Sequence, residues 1–353
     1  MSNLPFLLFL PWLTASVIAF LVTPVIIKYA KKLGILDDPK KNKHPKVIHS
    51  EPTPRGGGIP IFLALLVSSL IFLPLDKHLV GILIGALILV VMGFLDDKYN
   101  LNPYVRIVLG LLAVAAPIAS GIGISFITSP FGGTISLSHP QISFNLFGPH
   151  SIWLLSDLFA LIWVTFLMNM VNMGAKGVDG QLSGVTLISA LTIAFLSLRF
   201  SADITQWPVI ILAAITAGAY LGFLPWHIFP QKIMPGYGGA ILAGYLLGVL
   251  SILSTTKVGT LIVVLGVPLI DTGYVIVRRI LSGKSPVWGD RGHLHHRLLD
   301  AGLTKSQVAM LYWAFTAILG FLALSLNTAS KVYTMIGVAV LVGGVILWLS
   351  RRS

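Results

Sequence analysis

Long apolar stretches recur from one end of the chain to the other, and this feature limits the possible folds more than any other. Eleven stretches of about 17 to 25 residues are each long enough to cross a hydrocarbon layer of roughly 30 Å as a helix. Because unpaired peptide groups are costly in lipid, a chain crossing a bilayer forms helices or a closed barrel. The sequence therefore predicts an all-α fold, a polytopic integral membrane helix bundle of about 11 transmembrane helices. The predicted spans lie near residues 6–27, 57–75, 79–95, 106–126, 154–171, 182–198, 208–225, 238–254, 258–276, 309–327 and 333–349.

The positions of Lys and Arg predict how the bundle is oriented. These residues are retained on the cytoplasmic side of membrane proteins. With eleven spans and the N-terminus outside, 20 of the 24 Lys and Arg residues fall in inner segments, and the outer segments keep Lys77, Arg199, Lys257 and Lys331. We therefore expect a multi-pass protein of the plasma membrane, with a single domain over residues 1–353, the N-terminus outside and the C-terminus cytoplasmic.

Nine of the twelve acidic residues also fall near the predicted cytoplasmic face, although Asp and Glu contribute little to orientation. This bias places the chemistry of the protein on that face. The net charge of +12 fits attraction to anionic membrane lipids, so it does not indicate nucleic-acid binding. The long outer loop contains GTISLSHPQISFNLFG, residues 133–148, whose alternating apolar positions predict a short hairpin.

An inner loop, HSEPTPRGGGIPIF at residues 49–62, combines three consecutive glycines with Arg55. Glycines let the backbone approach a ligand closely, and a guanidinium binds phosphate oxygens as a fork. The loop could wrap a phosphate or a nucleotide, or it could be a flexible hinge that leads into the second span.

Two adjacent carboxylates, Asp96 and Asp97, end the third predicted span in GFLDDKYNLNP. Such a pair supplies oxygen ligands for a hard cation such as Mg2+, which usually takes one or two carboxylates together with substrate phosphates. One carboxylate could instead act as a base toward a bound nucleophile. A solvated turn at the membrane surface is the simpler interpretation of this common dipeptide.

Two further acidic positions are notable for their surroundings. In NMVNMGAKGVDGQLSG, residues 169–184, Asn172 lies at the end of an apolar helix, and a turn with Gly177 and Gly180 aims Asp179. Buried amides are costly without partners, which favours a function for this cluster. Asp271 lies within the ninth apolar stretch, where an ionisable group indicates function, with helix packing as the alternative.

The stretch GDRGHLHHRLL, residues 289–299, concentrates three histidines and two arginines. Imidazolium and guanidinium groups donate hydrogen bonds to phosphate oxygens. Zinc also accepts imidazole, but the chain has no Cys, and a zinc site would need ligands from elsewhere. Phosphate binding is therefore the better interpretation from chemistry alone.

The motifs GFLDDKYNL, NMVNMGAKGVDG, PLIDT and DRGHLHHRLL, in this order on alternate loops, resemble those of the polyprenyl-phosphate N-acetylhexosamine-1-phosphate transferases, which are of the glycosyltransferase family 4 type. The resemblance runs from about residue 25 to residue 305. The sequence HLHH resembles the undecaprenyl-phosphate N-acetylglucosamine-1-phosphate transferase branch more than the muramoyl-pentapeptide branch.

This resemblance implies an enzyme that transfers a sugar 1-phosphate from a UDP-N-acetylhexosamine to undecaprenyl phosphate and releases UMP. The product would start a lipid-linked glycan of the cell envelope, and the active face would be cytoplasmic. The resemblance also implies a requirement for Mg2+, or for Mn2+ in its place. It leaves the hexosamine and the oligomeric state open, although related enzymes often form homodimers.

The same resemblance assigns roles to individual residues. The carboxylates at 96 and 97 would lie beside the metal and the lipid phosphate, the segment 177–179 beside the uracil, and the histidines beside the substrate phosphates and sugar. The implied site has the catalytic residues Asp96, Asp97, His293, His295 and His296, the substrate-binding residues Arg55, Asn172, Lys176, Gly177, Asp179, His227, Arg291 and Arg297, and the metal ligands Asp96, Asp97 and Asp271.

Three positions depart from the pattern of the family. The third cluster is one residue longer than the usual N-x-x-D-G-x-D-G, and Lys176 stands where the first Asp belongs. In KIMPGYGGAILAG, residues 232–244, Tyr237 stands where a magnesium-binding Asp is usual, and His227 stands where an Asn is usual. These changes motivate the hypothesis that Lys176 supplies positive charge that partly substitutes for metal at the diphosphate.

Two alternative functions are also compatible with the sequence. One is a catalytically altered relative that binds a nucleotide sugar or polyprenyl phosphate without ordinary Mg-dependent turnover, as the residues at positions 176 and 237 would allow. The other is a transporter or flippase. Transporter sites lie near the middle of the membrane, whereas the polar clusters of this chain lie at the ends of the predicted spans.

Overall fold

The computed structural model describes residues 5–40, 51–129, 132–145, 149–254, 257–285 and 291–351, and this part of the chain is mostly helical. The prediction of an all-α membrane bundle is therefore confirmed. Parts of three predicted motifs, residues 49–50, 146–148 and 289–290, lie outside the described residues. In chain order the helices are a π-helical turn Pro5–Phe9, α1 (Leu10–Leu33), α2 (Gly58–Phe72), α3 (Lys77–Tyr99), α4 (Pro103–Ala119), α5 (Leu154–Gly174), α6 (Gln181–Leu198), a 3-10 turn Ile204–Gln206, α7 (Trp207–His227), α8 (Gly236–Leu253), α9 (Lys257–Val264), α10 (Gly266–Leu281), α11 (Leu294–Asp300), α12 (Lys305–Ser325) and α13 (Thr328–Ser350).

Each of the eleven predicted spans contains a helix, but not all of these helices are long enough to cross a membrane. Within the described ranges, eight helical segments are sufficiently long and apolar, and α2 and α4 are shorter, at 15 and 17 residues. The eight segments are Phe6–Leu33, Lys77–Tyr99, Leu154–Gly174, Gln181–Leu198, Ile204–His227, Gly236–Leu253, Lys305–Ser325 and Thr328–Ser350.

The predicted ninth span differs most from expectation, because it is not one continuous helix. The segments Val258–Val264 and Gly266–Leu281 meet at an angle of 82°, which gives nine spans if this bent pair crosses the membrane as one. Pro268 lies in the first turn of α10, where its missing N–H costs no helical hydrogen bond. An apolar composition alone does not distinguish a broken helix from a straight one.

Short strands occur in two of the connections. Leu36–Asp37 (β1) pairs with Thr53–Pro54 (β2) ahead of α2. Between α4 and α5, the chain forms two antiparallel pairs, and the prediction of one hairpin over residues 133–148 is confirmed only in part. The strand pairs are Phe126–Thr128 (β3) with Thr134–Ser136 (β4) and Gln141–Asn145 (β5) with Pro149–Trp153 (β6).

The glycine-rich helix α8 lies at the centre of the bundle. In its apolar window, 89% of the residues are buried, compared with 17% in α13. Small residues allow membrane helices to approach closely. A Cβ on Gly93 of α3 would overlap the backbone of Gly238, and a Cβ on Gly244 would meet the backbone of Leu167 in α5 at 2.5 Å. These glycine contacts place the start of α8 beside the end of α3.

Replacing Gly222 by Ala is expected to destabilise the bundle at the contact between α1 and α7. A Cβ at this position would overlap the backbone oxygen of Ser16 and meet the Cβ of Ala19 at 2.9 Å. Overpacking of this kind costs about 1–3 kcal/mol. Thermal unfolding in one detergent measures the effect. Gly343→Ala in α13 is the matched control, because nothing lies within 4 Å of its added Cβ. Equal melting temperatures of the two variants would contradict the prediction.

Candidate active site

The site residues predicted from the sequence gather at one end of the bundle, which we call the polar end. It is the end at which α3, α5 and α7 finish and α6, α8 and α11 begin. The central contacts between the helices are apolar, so the polar residues that close each helix collect beyond the core. Hydrogen bonds, ion pairs and close packing join these residues across the ends of the helices.

Asp97 lies against the first turn of α8. It is buried, and its Oδ1 accepts a hydrogen bond from the backbone N–H of Tyr237 at 3.0 Å. Gly236 has a φ of +67°, and a Cβ there would overlap the Asp97 carboxylate. Unpaired N–H groups and the helix dipole favour a negative charge at the start of a helix. Asp97 therefore stabilises the start of α8, and this approach requires glycine at position 236.

Asp96 is buried beside Asp97, and we call the two residues the carboxylate pair. The Oδ1 of Asp96 accepts a hydrogen bond from the backbone N–H of Leu101 at 3.1 Å and lies 3.4 Å from Nη1 of Arg106. The Arg106 guanidinium also lies over the Tyr237 ring, 5.0 Å from its centroid, which is a cation–π geometry. One cation thus contacts both Asp96 and the side chain at position 237.

The glycine loop before α2 packs beside the carboxylate pair. Nη2 of Arg55 lies 2.5 Å from Oδ2 of Asp37. The backbone N–H of Gly57 donates to the carbonyl oxygen of Met234 at 3.1 Å, which ties the loop to the segment before α8. The charge of Arg55 acts on both members of the carboxylate pair. The loop therefore brings a guanidinium to the place where we expected phosphate binding.

Lys176 occupies a central position at the polar end. It lies in the loop after α5, with its Nζ 3.5 Å from Oδ1 of Asn172. Its positive charge interacts with both members of the carboxylate pair and with His227 at the end of α7. Lys176 therefore links the ends of three helices.

The turn that follows Lys176 is held by the side chain of Gln181. Its Oε1 accepts hydrogen bonds from the backbone N–H groups of Gly177 and Val178, at 2.9 and 3.1 Å. Its Nε2 donates to the carbonyl oxygen of Gly174 at 3.2 Å. A Cβ on Gly177 would overlap the ring of His295, so the turn packs directly against the histidine segment.

Asp179, at the end of this turn, is a buried carboxylate in contact with a lysine. Its Oδ1 lies 3.6 Å from Nζ of Lys305 and has no hydrogen-bond partner among the described residues. Burial raises the pKa of Asp179 above its usual range, and the Lys305 charge and the backbone N–H of Gln231 oppose this shift. An unpaired buried acceptor is costly, so this oxygen is suited to receive an N–H group from a ligand.

His227 is buried at the end of α7, close to the same turn. Its Nδ1 lies 2.8 Å from Oγ of Ser183 in α6. The hydroxyl fixes the orientation of the ring. The structure therefore places this predicted nucleotide contact between Lys176 and the start of α6.

Asp271 connects α10 to the histidine segment. It is fully buried; its Oδ2 lies 2.9 Å from Nδ1 of His293, and its Oδ1 accepts a hydrogen bond from the backbone N–H of Leu294 at 2.7 Å. The rings of His293 and His295 stack with centroids 5.4 Å apart, and those of His295 and His296 lie 4.4 Å apart. We expected Asp271 to bind metal, but both of its oxygens anchor the start of α11.

The two arginines predicted to bind phosphate have partners of their own. Arg291 is exposed, and its Nη2 lies 2.9 Å from Oδ1 of Asp300. Arg297 donates through Nε to the carbonyl oxygen of Gly292 at 2.9 Å and through Nη1 to Oγ of Ser350 at the end of α13. The structure therefore uses Arg297 to fasten the histidine segment to the last helix.

Sequence reasoning overlooked several residues that complete this end of the bundle. Arg106 and Lys305 look like cations at the ends of apolar helices, which commonly extend toward the membrane surface without a specific partner. Asp37 and Ser183 carry no motif. Gln181 offered a signal, because a long amide at the start of an apolar helix is costly unless its hydrogen bonds are satisfied.

The donor atoms of the polar end do not fit Mg2+. Among the described residues, no three His, Asp or Glu side chains form a group that could hold a metal ion. The number of ligands does not decide the matter, because Mg2+ often binds one or two carboxylates and substrate phosphates. The partners of the carboxylate pair do: backbone N–H groups and Arg106 engage its oxygens, and the charges of Arg55 and Lys176 act on it. These residues satisfy the carboxylates without a divalent ion.

Comparison with known proteins identifies related sequences. The model of glycosyl transferase family 4 matches residues 79–255, half of the chain. A probable undecaprenyl-phosphate N-acetylglucosaminyl 1-phosphate transferase of Bacillus subtilis is 30% identical over 88% of this chain and 82% of its own length. An undecaprenyl-phosphate alpha-N-acetylglucosaminyl 1-phosphate transferase of Thermotoga maritima is 28% identical over 88% of each chain. A decaprenyl-phosphate N-acetylglucosaminephosphotransferase of Mycobacterium leprae is 27% identical over 97% of this chain and 90% of its own.

Proposed function

The chain belongs to glycosyl transferase family 4, and from this membership and the geometry of the polar end we propose that it transfers N-acetylglucosamine 1-phosphate from UDP-N-acetylglucosamine to a polyprenyl phosphate. The relatives in Bacillus subtilis and Thermotoga maritima are named for undecaprenyl phosphate, which is the acceptor we propose here. The product would be a lipid-linked sugar diphosphate that starts a glycan of the cell envelope. The comparisons offer no support for a catalytically altered relative.

The observation that carries the proposal is the contact of three separate sequence motifs at the polar end. Lys176 interacts with the carboxylate pair of α3, and the adjacent Gly177 packs against His295 of the histidine segment. Carboxylates, a cation, a glycine turn and histidines thus lie within reach of one bound diphosphate. Neither a transporter nor a purely structural bundle requires this combination at the ends of its helices.

The proposed reaction is a displacement at phosphorus. An oxygen of the acceptor phosphate forms a bond to the phosphorus that carries the sugar, and the bond from that phosphorus to the bridging oxygen breaks. The electron pair stays on the bridging oxygen, which leaves with UMP. Asp97 is the base that accepts the remaining proton of the acceptor phosphate, and the hydrogen bond from Tyr237 fixes its carboxylate. The histidines 293, 295 and 296 donate hydrogen bonds to the phosphate oxygens of the donor.

Asp179 is the residue we assign to the uracil base. Its buried Oδ1 lacks a hydrogen-bond partner among the described residues, and uracil carries a single ring N–H that could supply one. Lys305, 3.6 Å away, is a donor that could reach a neighbouring carbonyl oxygen of the base. This arrangement would recognise the base by its hydrogen-bonding edge, with His227 and Asn172 closer to the ribose and phosphates.

The polar end is proposed to face the cytoplasm, because UDP-sugars are cytoplasmic and the basic residues of the inner segments favour this orientation. The plasma membrane is the proposed location. The phosphate of the acceptor would reach the carboxylate pair from the membrane side while its apolar chain stays in the lipid.

Release of UMP tests the proposed function. Purified protein in detergent or nanodiscs, given UDP-N-acetylglucosamine and undecaprenyl phosphate in the presence of MgCl2, is expected to release UMP and form a lipid-linked sugar diphosphate. Omission of the acceptor is the control and should prevent UMP release. Binding of UDP-N-acetylglucosamine without UMP release, under any metal condition, would contradict the proposal and favour a protein that binds nucleotide sugar without transferring it.

A further inference from the structure

The balance of charge at the polar end differs from that of a site built for a divalent cation. Three buried carboxylates, those of Asp37 and the carboxylate pair, lie among three cations. Arg55 contacts Asp37 at 2.5 Å, Arg106 lies 3.4 Å from Asp96, and Lys176 interacts with both members of the carboxylate pair. Every carboxylate of this group is therefore balanced by protein charge before a ligand binds. No excess negative charge is left in it to attract a divalent cation.

Lys176 is the cation of this group that is best placed to bind a ligand. Arg55 and Arg106 each form a direct ion pair, whereas Asp97 already has the start of α8 to stabilise its charge. The hydrogen bond printed by the geometry for the Lys176 ammonium joins it to a neutral amide oxygen, that of Asn172, at 3.5 Å. An ammonium group has three donors, so this long contact leaves room for stronger hydrogen bonds to phosphate oxygens.

The location of Lys176 suits a diphosphate. Its charge acts on residues at the ends of both α3 and α7, and Gly177 beside it packs against His295. A diphosphate bound between the carboxylate pair and the histidine segment would therefore lie next to this ammonium group. The side chain at position 237, beside the same carboxylates, is a phenol under Arg106 and offers no carboxylate ligand.

We propose that Lys176 takes the place of a divalent cation at this site, so that the chain binds and transfers the sugar phosphate without Mg2+. The inference rests on the function proposed above. The ammonium group pairs with the diphosphate oxygens and stabilises the negative charge that develops on the bridging oxygen as UMP leaves. Lys176 stays protonated throughout, and the proton of the acceptor phosphate goes to Asp97 as before.

Nucleotide affinity provides the first test, with UDP as the probe and isothermal titration calorimetry as the measurement. In EDTA, the unmodified protein is expected to bind UDP within about twofold of its affinity in MgCl2. Lys176→Met should weaken binding in EDTA by about 10- to 100-fold, the effect of losing a hydrogen bond to a charged group. Lys176→Arg should recover most of this loss.

Lys98→Met is the matched control, because Lys98 neighbours the carboxylate pair in sequence but is exposed, with its Nζ over the Tyr99 ring. It should bind UDP like the unmodified protein. UDP binding that needs Mg2+, or equal affinity of Lys176→Met and Lys98→Met in EDTA, would overturn the inference.

Turnover of the unmodified protein supplies a second test that needs no variant. UMP release at similar rates in EDTA and in MgCl2 would support the inference. UMP release in MgCl2 that collapses in EDTA would overturn it and leave the proposed function intact. Absence of UMP release in both conditions would overturn the proposed function, and with it the transfer step assigned to Lys176.

Discussion

Asp97→Asn is expected to lower the rate of UMP release by about 100-fold or more, because a positioned base contributes 10²- to 10⁴-fold to a rate. The change keeps the shape of the side chain. Its amide oxygen can still accept the hydrogen bond from Tyr237, so the start of α8 retains its partner. The amide cannot accept a proton from the acceptor phosphate. The variant should therefore fold normally and bind UDP while failing to transfer the sugar phosphate.

Two further variants separate the charge of Asp97 from its structural contact. Asp97→Ala removes the base and also the acceptor for the Tyr237 N–H, and loss of such a cap costs about 1 kcal/mol. It should therefore match Asp97→Asn in activity but melt at a lower temperature. Asp300→Asn is the control, since Asp300 lies on the exposed side of α11. Activity of Asp97→Asn near that of the control would contradict the assignment of Asp97 as the base.

The sequence predicted the bundle well because hydrophobic length is a strong signal. All eleven predicted spans contain helices in the described part of the chain. The break at Leu265 was not predicted, because α9 and α10 are both apolar and together have the length of one span. The central position of α8 was not predicted either. Its glycines dilute hydrophobicity, yet they are the residues that let Gly93 and Leu167 approach closely.

The candidate site was predicted residue by residue, but the contacts within it were not. Motif spacing indicates which side chains belong at the polar end, whereas partners depend on how helices from distant parts of the sequence pack together. Arg106 and Tyr237 are an example, because they meet across α4 and α8. Asp271 is another. Its burial among apolar residues indicated a function, but only the fold reveals that it holds a segment 22 residues further along the chain.

Asp271→Ala is expected to release the histidine segment and abolish UMP release. The carboxylate is fully buried, and it is the acceptor for both Nδ1 of His293 and the backbone N–H of Leu294. Removing one partner of a buried ionic contact costs about 3–5 kcal/mol, because the remaining groups stay buried without a partner. The segment would then leave its place beside Gly177, and the phosphates would lose their histidine donors.

The milder substitution Asp271→Asn distinguishes anchoring from the role of a metal ligand. An asparagine at this position can accept from Leu294 through its oxygen and donate to a neutral His293 ring, so we expect most of the stability to remain. A residue that served through its charge would lose its function in either variant. Asp300→Ala, on the exposed face of the same α11, is the control for stability and should change it by less than about 0.5 kcal/mol. Thermal unfolding, hydrogen exchange of residues 293–296 and UMP release measure the three effects. If Asp271→Ala unfolded at the same temperature as Asp300→Ala with unchanged exchange, the contacts to His293 and Leu294 would not be what holds the histidine segment in place.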